Sequence, residues 1–173
     1  MKIEGKLVQM GIILPDFSKV GYYGATFGSM KAHHRVGNLL FLSGHIPWQD
    51  GVPVYPGILG KDVTIEQGYQ AARLTAINCL AGIKHAIGDL DGIVGIVRSL
   101  NFVVCTPDFY DVNKVSSGAT DLFVEVLGEE RGLGGRATIG VTSLASRCCF
   151  ENWLTVEVQE AFVPDEAGNL ASH

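Results

Sequence analysis

Two ionisable side chains in the C-terminal third occupy positions that chemistry would use. Arg136 opens the run Gly135-Arg136-Ala137-Thr138-Ile139-Gly140-Val141, and Glu157 interrupts an apolar pair in Val156-Glu157-Val158. A planar guanidinium grips a carboxylate through two parallel hydrogen bonds, which a lysine cannot copy. A carboxylate within hydrogen-bond reach of a water can take its proton as a general base. Each residue also has a plain explanation. An arginine at the start of a strand is ordinarily a solvated charge, and a strand with one wet face would carry a glutamate there.

The other motifs point to less. Gly132-Leu133-Gly134-Gly135 follows a helical pattern rather than a strand and lacks both the G-x-G-x-x-G spacing and a following Lys-Ser/Thr, so it is not read as a phosphate cradle. His33 and His34 are neighbours on an expected strand and project to opposite faces, so they do not share one ion, and no metal is expected. Cys79, Cys105, Cys148 and Cys149 show no C-x-x-C spacing and read as the reduced thiols of a cytoplasmic protein. No G-x-S-x-G names a serine nucleophile.

The elements that must position these residues form one expected domain. The chain has 173 residues, 47% of them hydrophobic and 18% charged, which excludes intrinsic disorder. A net charge of -5 argues against a protein that works by neutralising phosphates. No apolar run is long enough to span a bilayer, and Met1-Lys2-Ile3-Glu4-Gly5-Lys6 lacks the apolar core of a secretory signal.

Arg35 to Ile46 reads as a strand with Leu39-Leu40-Phe41-Leu42 buried, and residues 51–60 as a loop. Thr64 and Gln67 form a capping box for a helix whose apolar face is Ile65, Tyr69, Ala72, Ala76, Leu80, Ile83 and Ile87. A strand follows over 93–105. Asp108 is the expected cap of a second helix, with Val112, Val115, Ala119, Leu122, Phe123 and Val126 inward and Gly128 closing it. A glycine-rich loop then leads to Arg136, with final strands over 137–144 and 153–163. Residues 164–173 read as a flexible tail. This order gives an α+β class: a mixed sheet with both helices on one face, because each crossover is right-handed. The other sheet face is left bare, which predicts an oligomer.

The stretch from Arg35 to Val163 resembles the RidA/YjgF family of reactive-intermediate deaminases, also labelled endoribonuclease L-PSP. The matching pieces are Val36 to Pro47, Thr106-Pro107-Asp108-Phe109, Val112-Asn113, Gly135-Arg136-Ala137 and Val156-Glu157-Val158. Residues 68–73 and 118–122 resemble its longer-chain branch, which leaves 1–34 as an N-terminal extension. The resemblance implies a chorismate-mutase-like fold and a homotrimer with its sheets facing a central barrel and clefts between subunits. It implies hydrolysis of 2-imino or enamine acids to 2-oxo acids and ammonia, with no cofactor. Some relatives act on intermediates of aromatic catabolism such as 2-aminomuconate or hydroxylaminobenzoate, and a non-catalytic metabolite-binding or chaperone-like trimer is the rival reading.

In that resemblance Arg136 holds the substrate carboxylate and Glu157 positions the attacking water. Ser43, Gly44, Thr138 and Asn113 line the same pocket. The sequence departs from the family at Leu144-Ala145, where a Leu-Pro pair is usual, and residues 146–153 read as an insertion, with Glu160 as the fallback carboxylate. The family tyrosine falls near Met30, so Tyr22, Tyr23 or Phe27 is its expected replacement. Phe150 and Trp153 are further aromatic candidates, against the plainer expectation that such rings serve core or interface.

Overall fold

The computed structural model describes residues 2–160. The expected tail at 164–173 and the end of the expected final strand lie outside them.

A five-stranded sheet carries the fold, in the order β1-β2-β7-β5-β6. Its members are β1 (His33–Val36), β2 (Leu39–Leu42), β5 (Ile93–Val104), β6 (Gly135–Val141) and β7 (Phe150–Val158); β3 (Trp48–Gln49) and β4 (Val52–Pro53) form a separate ribbon. Only β5 and β6 run parallel; the other neighbours in the five-stranded sheet are antiparallel. The mixed α+β class with helices on the sheet is what the sequence predicts.

The long helices α3 (Ile65–Ile87) and α4 (Val112–Leu127) pack on each other and on one face of this sheet. The capping box predicted at Thr64 and Gln67 is present in full. Ala72, Ala76, Leu80 and Ile83 of α3 are buried, as are Val115, Ala119, Leu122, Phe123 and Val126 of α4. They meet Leu40, Leu154, Val156 and Val158 of the sheet in one core. No helix among the described residues is long and apolar enough to cross a membrane.

Several boundaries depart from the sequence reading; β6, for one, runs over Gly135–Val141 where 137–144 is expected. The single strand expected from Arg35 is a hairpin, β1 and β2, because Gly37 takes a φ of +57° in a two-residue turn with Asn38. Helix α4 begins after Asp111 rather than Asp108, without a side-chain cap. The expected glycine-rich loop after Gly128 contains a further turn of helix, α5 (Glu129–Gly132). The last strand begins at Phe150 instead of Trp153, so the second half of 146–153 is part of β7. A tight turn over Ala145–Arg147, with Ser146 and Arg147 at positive φ, feeds directly into β7.

The N-terminal segment is built into the domain. Ile3 and Leu7 of α1 (Ile3–Gln9) are buried in the core. The short helix α2 (Phe17–Val20) and a helical turn over Tyr23–Phe27 follow, and Phe17 is buried.

Candidate active site

The alternation of β7 decides which side chains reach the open sheet face. Phe150, Asn152, Leu154, Val156 and Val158 point into the core, so Glu151, Trp153, Thr155 and Glu157 stand on the other side. Asn152 fixes that register. Its buried amide donates to Ser99 Oγ at 2.7 Å and to Asn101 Oδ1 at 2.6 Å, both on β5. A slip by one residue would bury Glu151 and leave this network without partners.

Glu151 lies in a cavity of about 420 Å³ walled by Tyr22, Tyr23, Phe27, Met30, Leu42 and Trp153, with Ser43 and Gly44 at its edge. Trp153 donates its indole N–H to Glu151 Oε1 at 2.6 Å. Tyr22 donates its hydroxyl to the Gly44 carbonyl at 2.8 Å, and the Tyr23 hydroxyl accepts from the Ile46 N–H at 3.2 Å. Ser43 donates its hydroxyl to the Lys31 carbonyl. Gly44 gives the carboxylate its place: a Cβ there would overlap Glu151 Oε1 where it now lies, and would sit 2.9 Å from Trp153 Nε1. Burial pushes the Glu151 carboxyl above the usual glutamate range, partly offset by the Trp153 hydrogen bond. A half-buried carboxylate with a raised pKa in an apolar cleft is a candidate general base.

Beneath the cavity His45 is fully buried, its Nδ1 2.7 Å from the Ser43 carbonyl and its Nε2 without a partner. Burial holds its pKa down at about 4, so it stays neutral. Its ring packs edge to face on Tyr23, 5.9 Å between centroids, and supports the aromatic wall.

The predicted site residues fall into three places. Ser43 and Gly44 share the cavity with Glu151. Arg136, Thr138 and Asn113 gather at the far edge of the sheet, between β6 and α4. Arg136 Nη1 donates to Thr120 Oγ1 at 3.0 Å and to Ser117 Oγ at 3.4 Å, and Thr138 donates to Ser116 Oγ at 2.8 Å. The Asn113 carbonyl accepts from Ser116 and Ser117. Arg136 is exposed and has no carboxylate partner among the described residues.

Arg136 aligns with Ser99 and Leu154, three residues along and two strands over from Glu151, roughly 14 Å away and on the opposite face. One chain therefore does not bring the two together. Glu157 joins neither group. It is six residues down β7 from Glu151, roughly 20 Å, where Asn38 Nδ2 donates to its Oε1 at 2.7 Å and ties the β1–β2 turn to the sheet. Glu160 is exposed past the end of β7.

Of the aromatic candidates, Tyr22, Tyr23, Phe27 and Trp153 line the cavity together with Met30, whereas Phe150 is core. Sequence reasoning missed Glu151 because the polar pair Glu151-Asn152 looked like a loop. A signal was available in Phe150, Leu154, Val156 and Val158, which keep a two-residue period through it.

The family model described as "YjgF/chorismate mutase-like, putative endoribonuclease" matches residues 4–153. A solved protein of unknown function from Agrobacterium tumefaciens, Atu1372, is 34% identical, with a TM-score of 0.80 over 91% of this chain and 92% of its own. A Shewanella oneidensis MR-1 structure that carries the same endoribonuclease description is 30% identical, with a TM-score of 0.84 over 91% of this chain and 100% of its own. Protein TCP17 of Trypanosoma cruzi is 31% identical over 145 residues, 83% of this chain and 86% of its own. The chain belongs to the YjgF/chorismate mutase-like family, the RidA/YjgF group that its motifs resemble.

Proposed function

We propose that the protein is a cofactor-independent deaminase that hydrolyses a carboxylate-bearing imine or enamine to a 2-oxo acid and ammonia. The observation that carries this reading is Glu151, a carboxylate with a raised pKa inside an aromatic cavity, whose Oε1 packs against Gly44 and accepts the Trp153 N–H. In this reading Glu151 takes the role that the sequence assigned to Glu157.

An imine carbon is already electrophilic, so the protein need only orient a water and move protons. Glu151 accepts a proton as the water oxygen bonds to the imine carbon, and the C=N π pair moves onto nitrogen. The protonated Glu151 then passes its proton to the amine. Glu151 then takes the hydroxyl proton and delivers it to the amine nitrogen as the C–N bond breaks with its electron pair on nitrogen, which releases ammonia and the 2-oxo acid.

The carboxylate needs a cation, and among the described residues no lysine or arginine lines the cavity of one chain. Arg136 is exposed on an edge strand, held by Thr120 and Ser117 and pointing away from its own chain's Glu151. The reading therefore includes a homotrimer in which Arg136, Thr138 and Asn113 of one subunit close the cavity of the next. The bare sheet face supports assembly. Its rows hold Ile139, Phe102, Ala137, Leu100, Trp153 and Phe41, several of them exposed. The net charge of -5 and the acidic cavity favour this over RNA cleavage.

The test is ammonia release from imines generated in solution, above the spontaneous rate. The wild type accelerates release. Glu151→Gln lowers turnover by about 10²–10⁴-fold with little change in KM, the scale of a lost general base. Glu157→Gln keeps wild-type turnover. Full activity in Glu151→Gln would overturn the reading.

A further inference from the structure

The cavity wall carries more than a place for a carboxylate. Tyr22, Tyr23, Phe27 and Trp153 surround a space of about 420 Å³, within the range that takes ring-bearing ligands. A three- or four-carbon acid would leave much of that apolar surface wet. The rings are fixed in place. Both tyrosine hydroxyls are engaged by backbone groups, and Trp153 is bonded to Glu151 itself. Tyr22 and Tyr23 lie 4.9 Å apart between centroids, and Phe27 packs edge to face on Trp48 at 6.3 Å. The inner rings are therefore supported from behind, while Phe27 and Trp153 remain 44% and 52% exposed at the mouth.

Glu151 and Trp153 share one face of β7 two residues apart, and the indole N–H lies 2.6 Å from Glu151 Oε1, so the indole adjoins the proton-accepting group. A reacting carbon beside Glu151 would therefore place its side chain against the Trp153 ring, with Phe27 lining the same cavity. Planar groups bind there by stacking and edge-to-face contact, and a flexible aliphatic chain gains less.

We infer that the substrate is a 2-imino acid with an aromatic side chain, the immediate product of oxidising an aromatic amino acid, with its ring held between Phe27, Trp153 and the two tyrosines. This inference rests on the deaminase reading and adds the side-chain class to it. Met30 and Leu42 add to the apolar lining, and among the described residues that line the cavity only Glu151 carries charge, so a substrate with a charged side chain is disfavoured.

The experiment compares imines generated from phenylalanine and from alanine by an amino acid oxidase, alongside titration of the full-length protein with phenylpyruvate and pyruvate by calorimetry. We expect kcat/KM for the phenylalanine-derived imine to exceed that for the alanine-derived imine by at least about tenfold, and phenylpyruvate to bind the tighter of the two oxo acids. Phe27→Ala should shrink the kcat/KM ratio, and Phe27→Tyr should keep it. Equal or faster turnover of the alanine imine, or a ratio unmoved by Phe27→Ala, would overturn the inference and leave the deaminase reading standing; the rings would then serve subunit packing only. Preferential phenylpyruvate binding with neither imine hydrolysed would uphold the ligand class and sink the deaminase. Neither turnover nor binding would remove both.

Discussion

A carboxylate walled by tyrosine, phenylalanine and tryptophan rings is costly to ionise, and that cost sets the pH at which Glu151 can act. In the proposed mechanism Glu151 works only when ionised. As pH falls through its raised pKa, activity must fall with it, so the acid limb of kcat/KM should lie above the usual glutamate value of about 4.3. The limb should vanish from any residual activity of Glu151→Gln. A limb unchanged in that variant would assign it to another group. Gly44 gives an independent handle on the same atom. Because a methyl group at 44 would overlap Glu151 Oε1, Gly44→Ala should displace the carboxylate and cost about 10²-fold in turnover, with the circular dichroism spectrum preserved. Wild-type turnover in Gly44→Ala would mean that the carboxylate works from some other position.

At the scale of elements, α4 and β6 act together. Ser117 and Thr120 hold the Arg136 guanidinium, and Ser116 holds Thr138. Arg136→Lys keeps the charge and loses the fork, so it should cost roughly 2–4 kcal/mol in transition-state binding, read from kcat/KM. Thr120→Val should raise KM several-fold by loosening the same fork, with a smaller effect on kcat. An unchanged kcat/KM in Arg136→Lys would remove the carboxylate clamp. Helices α3 and α4 were legible in the sequence because capping and a 3.6-residue period agree over many turns: Thr64, Gln67, Ala72, Ala76, Leu80 and Ile83 all sit where that period puts them. The strands near the site were less legible. At Asn152 a polar residue occupies a core position because Ser99 and Asn101 meet it from β5, a long-range fact that no local pattern carries. Hence the local pattern marks the strand only from Trp153, three residues inside its observed start at Phe150. The turn at Gly37 was hidden for a different reason, since Arg35 to Leu42 is apolar enough to pass for one strand. Ser43 and Gly44 were reached through the family motif, and their structural reason, the close approach of Glu151, appears only when β2 and β7 are set side by side.

The whole molecule poses the problem that no single chain solves. Glu151 and Arg136 lie on opposite faces of one sheet, and the apolar rows between them are bare. Light scattering should give about three times the chain mass, because a closed ring lets each edge strand reach the next subunit's cavity. A monomer at micromolar concentration would leave the cavity without its cation. The sharpest test is complementation between two inactive chains. Glu151→Gln and Arg136→Ala, each assembled alone, have no cavity with both groups. Coassembled in equal amounts at random, about one interface in four pairs an intact Glu151 with an intact Arg136 from the neighbour. Ammonia release should therefore recover to about a quarter of the wild-type rate in the mixed oligomer. Mixed oligomers that form, as judged by differently tagged subunits purifying together, yet stay as inactive as their parents would contradict a site shared between subunits.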